Sequence, residues 1–282
     1  NATVNPTINA LALAGSLSAA KGKGLTLSLS GAGSSTTNNI TTVVKAYAKD
    51  MVSLKSTLGT VSIAAADGST IVADSGGISV ALQNTQGGGV AGSVGASIAN
   101  NTITATIKAY AANSVIDAKG DVLIDAKTTS NIKALSIAGS LSGASGQGLT
   151  LTGSGAGAST TNSITTVLDA HAANSSSVTS TAGSVSIMAV DDSTIDADSG
   201  GMSIGLQRTS GAGGGFSVGA SIANNTLNST LTANVADTVV SAAGNILISA
   251  TSTSDIAALS IAGSLSGASG QGLTLTGSGA GA

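Results

Sequence analysis

The 282-residue chain carries a net charge of −3 with only 8% charged residues, no Glu, Cys or Trp, three aromatics and 39 glycines. Lack of Cys excludes disulfides and thiolate metal sites, the charge balance argues against nucleic-acid binding, and so few aromatics argue against a sugar-cleaving cleft. No apolar run approaches the roughly 20 residues of a membrane-spanning helix, and 41% apolar content argues against disorder.

In chain order, residues 1–9 read as the end of a preceding repeat, and both termini read as cuts through a longer polypeptide. Residues 10–133 form one repeat, 134–257 a second, and 258–282 the start of a third. The two full repeats align without a gap and are identical at 72 of 124 positions, and Ala134–Ala158 recurs unchanged as Ala258–Ala282. A shared pattern starts at Gly59, Gly120, Gly183 and Gly244, at spacings of 61, 63 and 61, so each repeat is a tandem of two modules.

Within that pattern Val61, Ile63 and Ala65 alternate with Ser62 and Ala64, which places the first three on one inward face of a strand. Ile71 and Ala73 resume the alternation after a spacer that fits a turn. The missing Glu, the 39 glycines and the abundant β-branched residues agree with strands throughout. Residues 85–97, 139–158, 209–221 and 263–282 are glycine-rich. They fit a narrow part of the cross-section where two sheets approach closely, the favoured reading, or a flexible loop for ligand entry.

These features predict an all-β, right-handed parallel β-helix (β-solenoid) built from tandem 124-residue repeats, each of two modules of 61–63 residues. With about 20 residues per coil, each module holds about three coils, and the chain is a rod of about 13 or 14 coils and ~65 Å. A β-sandwich array and a trimeric β-roll are the alternatives. The sandwich is weakened by the scarcity of hairpin turns, since Asp67-Gly68 is isolated and becomes Asp191-Asp192 in the second repeat.

The segments Gly92–Thr102 (GSVGASIANNT) and Phe216–Thr226 (FSVGASIANNT), with the following Ile103–Ser140, resemble the repeat shafts of giant filamentous bacterial adhesins of the filamentous-haemagglutinin and leukotoxin-type class. The resemblance covers the whole chain and is specific for architecture rather than ligand. It implies a β-solenoid, export to the cell exterior and a role in attachment or aggregation.

Candidate sites are few. His171, the single histidine, matches Tyr47, Tyr110 and Asn234 in the other modules, as expected of an outward face rather than a catalytic base. Asp191, Asp192, Asp196 and Asp198 form the one candidate calcium site, with Asp196 and Asp198 on one face of a strand. The first repeat has Asp67, Gly68, Val72 and Asp74 there, so a solvated acidic patch is the favoured reading. Thr150 and Thr152 share a face in Leu149–Thr152, the arrangement an ice-ordering surface would use, but this segment returns once per 124 residues. Charge is uneven: nine Lys against six Asp over 1–133, and one Arg (Arg208) against seven Asp over 134–282. That split suits head-to-tail attraction between rods or drift of solvated positions.

The expected role is a structural stalk or fibre-forming segment of a large extracellular or cell-surface adhesin, without catalysis, cofactor, nucleic acid or membrane span. Expected partners are further copies joined end to end and a glycan, host or matrix surface. The alternative is a solenoid that recognises glycan or ice through one flat outward face.

Overall fold

The computed structural model describes residues 1–51, 53–174 and 176–282. Every regular element in it is a strand. The first coil holds β1 (Ala2–Val4), β2 (Thr7–Gly22), β3 (Thr26–Lys49) and β4 (Leu54–Ser56). The second holds β5 (Val61–Asp67), β6 (Thr70–Thr85), β7 (Gly89–Ala112) and β8 (Val115–Ala118). The third holds β9 (Val122–Thr128), β10 (Asn131–Gly146), β11 (Thr150–Ala173) and β12 (Ser177–Ser180). The fourth holds β13 (Val185–Asp191), β14 (Thr194–Thr209), β15 (Gly213–Val235) and β16 (Val239–Ala242). A fifth begins with β17 (Ile246–Ser252), β18 (Asp255–Gly270) and β19 (Thr274–Gly281).

Equivalent strands pair in parallel into four sheets: β1-β5-β9-β13-β17, β18-β14-β10-β6-β2, β19-β15-β11-β7-β3 and β16-β12-β8-β4. The chain is a parallel β-solenoid, and one 61–63-residue module makes one coil. The expectation of about 20 residues per coil is therefore wrong by threefold. Four full coils and part of a fifth, at ~4.8 Å each, stand only ~20 Å tall, whereas a 24-residue strand runs ~80 Å. Strands this long exceed the usual 3–10 residues. They persist here because each pairs along its whole length with the matching strand of the next module.

The register absorbs the unequal modules at the corners. Ala2 pairs with Ala65 and Lys49 with Ala112, both offsets of 63. Leu54 pairs with Ile116, an offset of 62, and Val61 with Val122, an offset of 61. One residue is thus dropped on each side of the short fourth strand, and no ladder loses alignment. The corner after each long strand turns on Asp50, Asn113, Asn174 or Asp237, all at positive φ. Asn and Asp tolerate this left-handed conformation better than other side-chain-bearing residues.

In cross-section β5 and β6 form one layer, β7 runs back across both as the other, and β8 closes the edge. The β5 side has an ordinary aliphatic interior. Val61, Ile63 and Ala65 face inward as expected, stacked on Val122, Ile124 and Ala126, then on Val185, Ile187 and Ala189. Ile71 and Ala73 are likewise buried and stack on Ile132 and Ala134.

The β6 side is inverted. Its interior holds Ser, Gly and Ala, and the two layers are joined by hydroxyl pairs such as Ser30–Ser16 (2.8 Å), Ser93–Ser140 (2.7 Å) and Ser136–Ser97 (2.8 Å). A Cβ added to Gly77 would lie 2.1 Å from the Ala96 carbonyl oxygen, and one on Gly95 would lie 2.1 Å from that of Gly139. Sheets that ordinarily stand ~10 Å apart come together because only Ser and Ala side chains separate them, and none at the glycines. The glycine-rich stretches are this narrow lamina, in agreement with the first of the two readings, and not entry loops. Large apolar side chains go outside instead: Ile78, Leu82, Val94, Met202 and Phe216 are all exposed.

Candidate functional site

On the outer face of β3, β7 and β11, near their C-terminal ends, the register lines up Tyr47, Tyr110, His171 and Asn234 in one column, as the modular alignment predicts. The rings stack almost flat: Tyr47 on Tyr110 with centroids 5.2 Å apart, and Tyr110 on His171 at 5.1 Å. One column inward along the strands stand Lys45, Lys108, Asp169 and Thr232. Asp169 Oδ1 lies 2.8 Å from His171 Nδ1, so with the proton on that nitrogen the imidazole donates to the carboxylate. Asp169 Oδ2 lies 3.6 Å from the Lys108 ammonium. Lys108, Val167, Asp169, His171, Thr232 and Asn234 surround a shallow depression of about 390 Å³. This His-Asp pair lies on an open, flat sheet, and stacking on Tyr110 gives its ring a packing role.

Next to it lies a polar lattice. Thr41, Thr104 and Thr165 stack outward in one column, Thr37, Asn100 and Thr161 in another, and Asn39, Thr102 and Ser163 between them. Columns repeat at ~6.6 Å along the strands and ~4.8 Å between coils. The threonines singled out by alternation are different ones. Thr150 and Thr152 do share a face, but it is the interior one: both are buried, while Leu149 and Leu151 face outward. Two of the three outward columns mix Thr with Asn or Ser, which hides the lattice from an alternation of one residue type.

The acidic candidates do not converge. Asp191 is fully buried at the corner between β13 and β14, so the solvated-patch reading fails for it. Its Oδ1 accepts the Ser193 amide (3.0 Å) and hydroxyl (2.5 Å), and its Oδ2 accepts the hydroxyls of Thr166 (2.7 Å) and Ser229. Four donors replace its lost hydration, which is what a buried carboxylate without a cation needs. Asp67, its counterpart two coils away, is held the same way by Ser69 and Ser130.

Asp192 lies outside, 3.2 Å from Lys127, and accepts the Thr253 hydroxyl. The Thr253 hydrogen bond first, then Lys127, holds its carboxyl below the ordinary range. Asp125, on the other side of Lys127 in the same strand, is raised by burial, with the Lys127 charge opposing. Asp196 and Asp198 share the outer face of β14, as expected. Among the described residues no three acidic or histidine side chains gather in metal-binding reach.

One interior feature has no counterpart among the expected sites. Asn38, Asn101, Asn162 and Asn225 form a ladder through four coils, each Nδ2 donating to the next Oδ1 at 2.8 Å. Their spacings of 63, 61 and 63 were the available signal.

No helix among the described residues is long and apolar enough to cross a membrane. No protein-family model matches the chain, and neither curated proteins nor solved structures include a significant match to it.

Proposed function

We propose that this chain is a structural, non-catalytic segment of a large bacterial surface or secreted protein, presenting broad regular faces for attachment. The observation that carries the reading is the in-register stacking of duplicated modules, which turns each outward position into a column repeated coil after coil. Such a surface suits multivalent, low-specificity contact with a glycan, matrix or neighbouring shaft. The resemblance to filamentous adhesin shafts supports the same role and an extracellular location. The test is binding of the purified chain, displayed in many copies on beads, to glycan arrays and to bacterial or host cell surfaces. Beads that bind no better than beads bearing an unrelated β-protein would sink the attachment role.

A second reading rests on the Thr41-Thr104-Thr165 lattice, whose flat polar columns could order water in the manner of an ice-binding face. Inhibition of ice recrystallisation by the chain, abolished by Thr104→Lys, would favour it. Absence of inhibition would leave attachment alone.

A further inference from the structure

The outer face of the β2, β6, β10, β14 and β18 sheet carries an apolar band whose large side chains and glycines alternate from coil to coil. Leu13, Gly76, Ile137 and Gly200 occupy one column; Ala19, Leu82, Gly143 and Leu206 occupy another, six residues further along each strand. The alternation leaves two hollows. One, of about 570 Å³, surrounds Gly76 and is framed by Leu13, Ile78 and Ile137. The other, of about 500 Å³, surrounds Gly143 between Leu82 and Leu206.

Each row reads small-to-large or large-to-small between these columns, and this order inverts with strand direction. We propose that the face pairs with the same face of a second copy, about a two-fold axis parallel to the solenoid axis. That operation reverses the strands and keeps coil opposite coil. Leu82 of one copy then lies over Gly76 of the other, Ile137 over Gly143, and Leu206 over Gly200. Nearer the middle of the third row Leu141 meets Gly139, while Ile78 and Val80 make ordinary apolar contact in the second. The same operation, with no further adjustment, sets Asp198 of each copy opposite Arg208 of the other. A contact that is self-complementary in both shape and charge is the signature of an isologous interface.

The area suffices. Ten residues of strand (~33 Å) across the ~20 Å height of the sheet give ~650 Å² per partner, or ~1,300 Å² in all, within the range of specific interfaces. This pairing is lateral, distinct from growth along the solenoid axis, and rests on the fold alone rather than on the extracellular reading.

Sedimentation equilibrium of the whole chain, up to about 100 μM, tests it. The expected result is a reversible dimer. Gly200 has open space where a Cβ would go, so Gly200→Leu should keep the fold by circular dichroism and make the face more apolar. It nevertheless fills the open space over Gly200 that Leu206 of the other copy would occupy, and the dimer should weaken by about tenfold or more. Gly153, on the opposite outer face, is equally open, and Gly153→Leu should leave pairing unchanged. Arg208→Asp should weaken the dimer, and adding Asp198→Arg should restore it. If Gly200→Leu fails to fold, Gly15→Leu, also unobstructed and opposite Leu17, makes the same test. A chain that stays monomeric, or a folded hollow-filling variant that associates as well as the parent, overturns the proposal. So does tighter binding of Gly200→Leu to phosphatidylcholine vesicles without any dimer, which would assign the face to lipid.

Discussion

Asn101 Nδ2 donates to Asn162 Oδ1 at 2.8 Å, and Asn101 Oδ1 in turn accepts from Asn38, so one buried amide joins three coils. Replacing Asn101 with Ala leaves a donor below and an acceptor above unpaired in the interior. At about 1–3 kcal/mol per orphaned group, a loss of roughly 2–6 kcal/mol is expected in urea unfolding. Asn225→Ala, at the end of the ladder, breaks one bond in a less buried place and should lose about 1 kcal/mol. Equal losses at the two positions would show that the amides are not coupled along the axis.

The carboxylate of Asp191 gives a second prediction. Asp191→Ala strands the hydroxyls of Thr166, Ser193 and Ser229 and should destabilise by about 3 kcal/mol or more. The stacked position one coil below is Thr128, whose hydroxyl pairs with Ser130. Asp191→Thr should therefore recover part of the loss. Thermal melts of the two variants decide it, and a Thr variant no better than Ala would contradict the hydroxyl-cage account.

Lys127 lowers two aspartates, behind the Thr253 hydrogen bond at Asp192 and against burial at Asp125, and its removal should move both in one direction. In Lys127→Met, Asp192 should titrate closer to the ordinary 3.8, with the Thr253 hydroxyl still holding it below, and Asp125 should rise further above that value. The signs for stability are opposite. The lowered group, Asp192, stabilises the fold above the ordinary carboxylate range and loses that contribution as pH falls through its depressed value. The raised group, Asp125, contributes stability below the ordinary range and loses it as pH rises through its elevated value. Carboxyl NMR titration of the parent and Lys127→Met reads both, and an unmoved Asp192 would remove Lys127 from the account.

In the aliphatic half, Ile124 is fully buried between Ile63 and Ile187. Ile124→Asp puts an unpaired charge in that column and should cost several kcal/mol, unfolding the chain or leaving its second and third coils open to protease. In the lamina the sensitivity is steric. Gly95→Ala would press a methyl group into the Gly139 backbone, and the layers would have to separate, so a single methyl should lower the melting temperature by several degrees. If Gly95→Ala melts with the parent, the close approach of the layers is wrong.

The inward assignments of Val61, Ile63, Ala65, Ile71 and Ala73 were legible in the sequence because a period of two has only two faces. The column of Tyr47, Tyr110, His171 and Asn234 was legible because modular alignment and coil stacking are the same operation. Coil length was not, since a repeat fixes the length of the unit and is silent on where the chain reverses. Segments such as 89–97 do not mark where it reverses either, because the small residues that let two strands close on each other are the ones that usually mark turns. The burial of Asp191 is hidden in the sequence for a related reason. Its burial depends on Thr166 and Ser229, which lie 25 and 38 residues away and reach it only once the long strand has folded back.

A coil of 61–63 residues advances the solenoid by ~4.8 Å, so growth along the axis amounts to less than ~0.1 Å per residue. A fully extended chain would cover more than ~3 Å with each residue. Lengthening such a protein by further repeats therefore adds girth-wide tiles of patterned surface far faster than it adds distance. Growth of this architecture makes a wall rather than a tether.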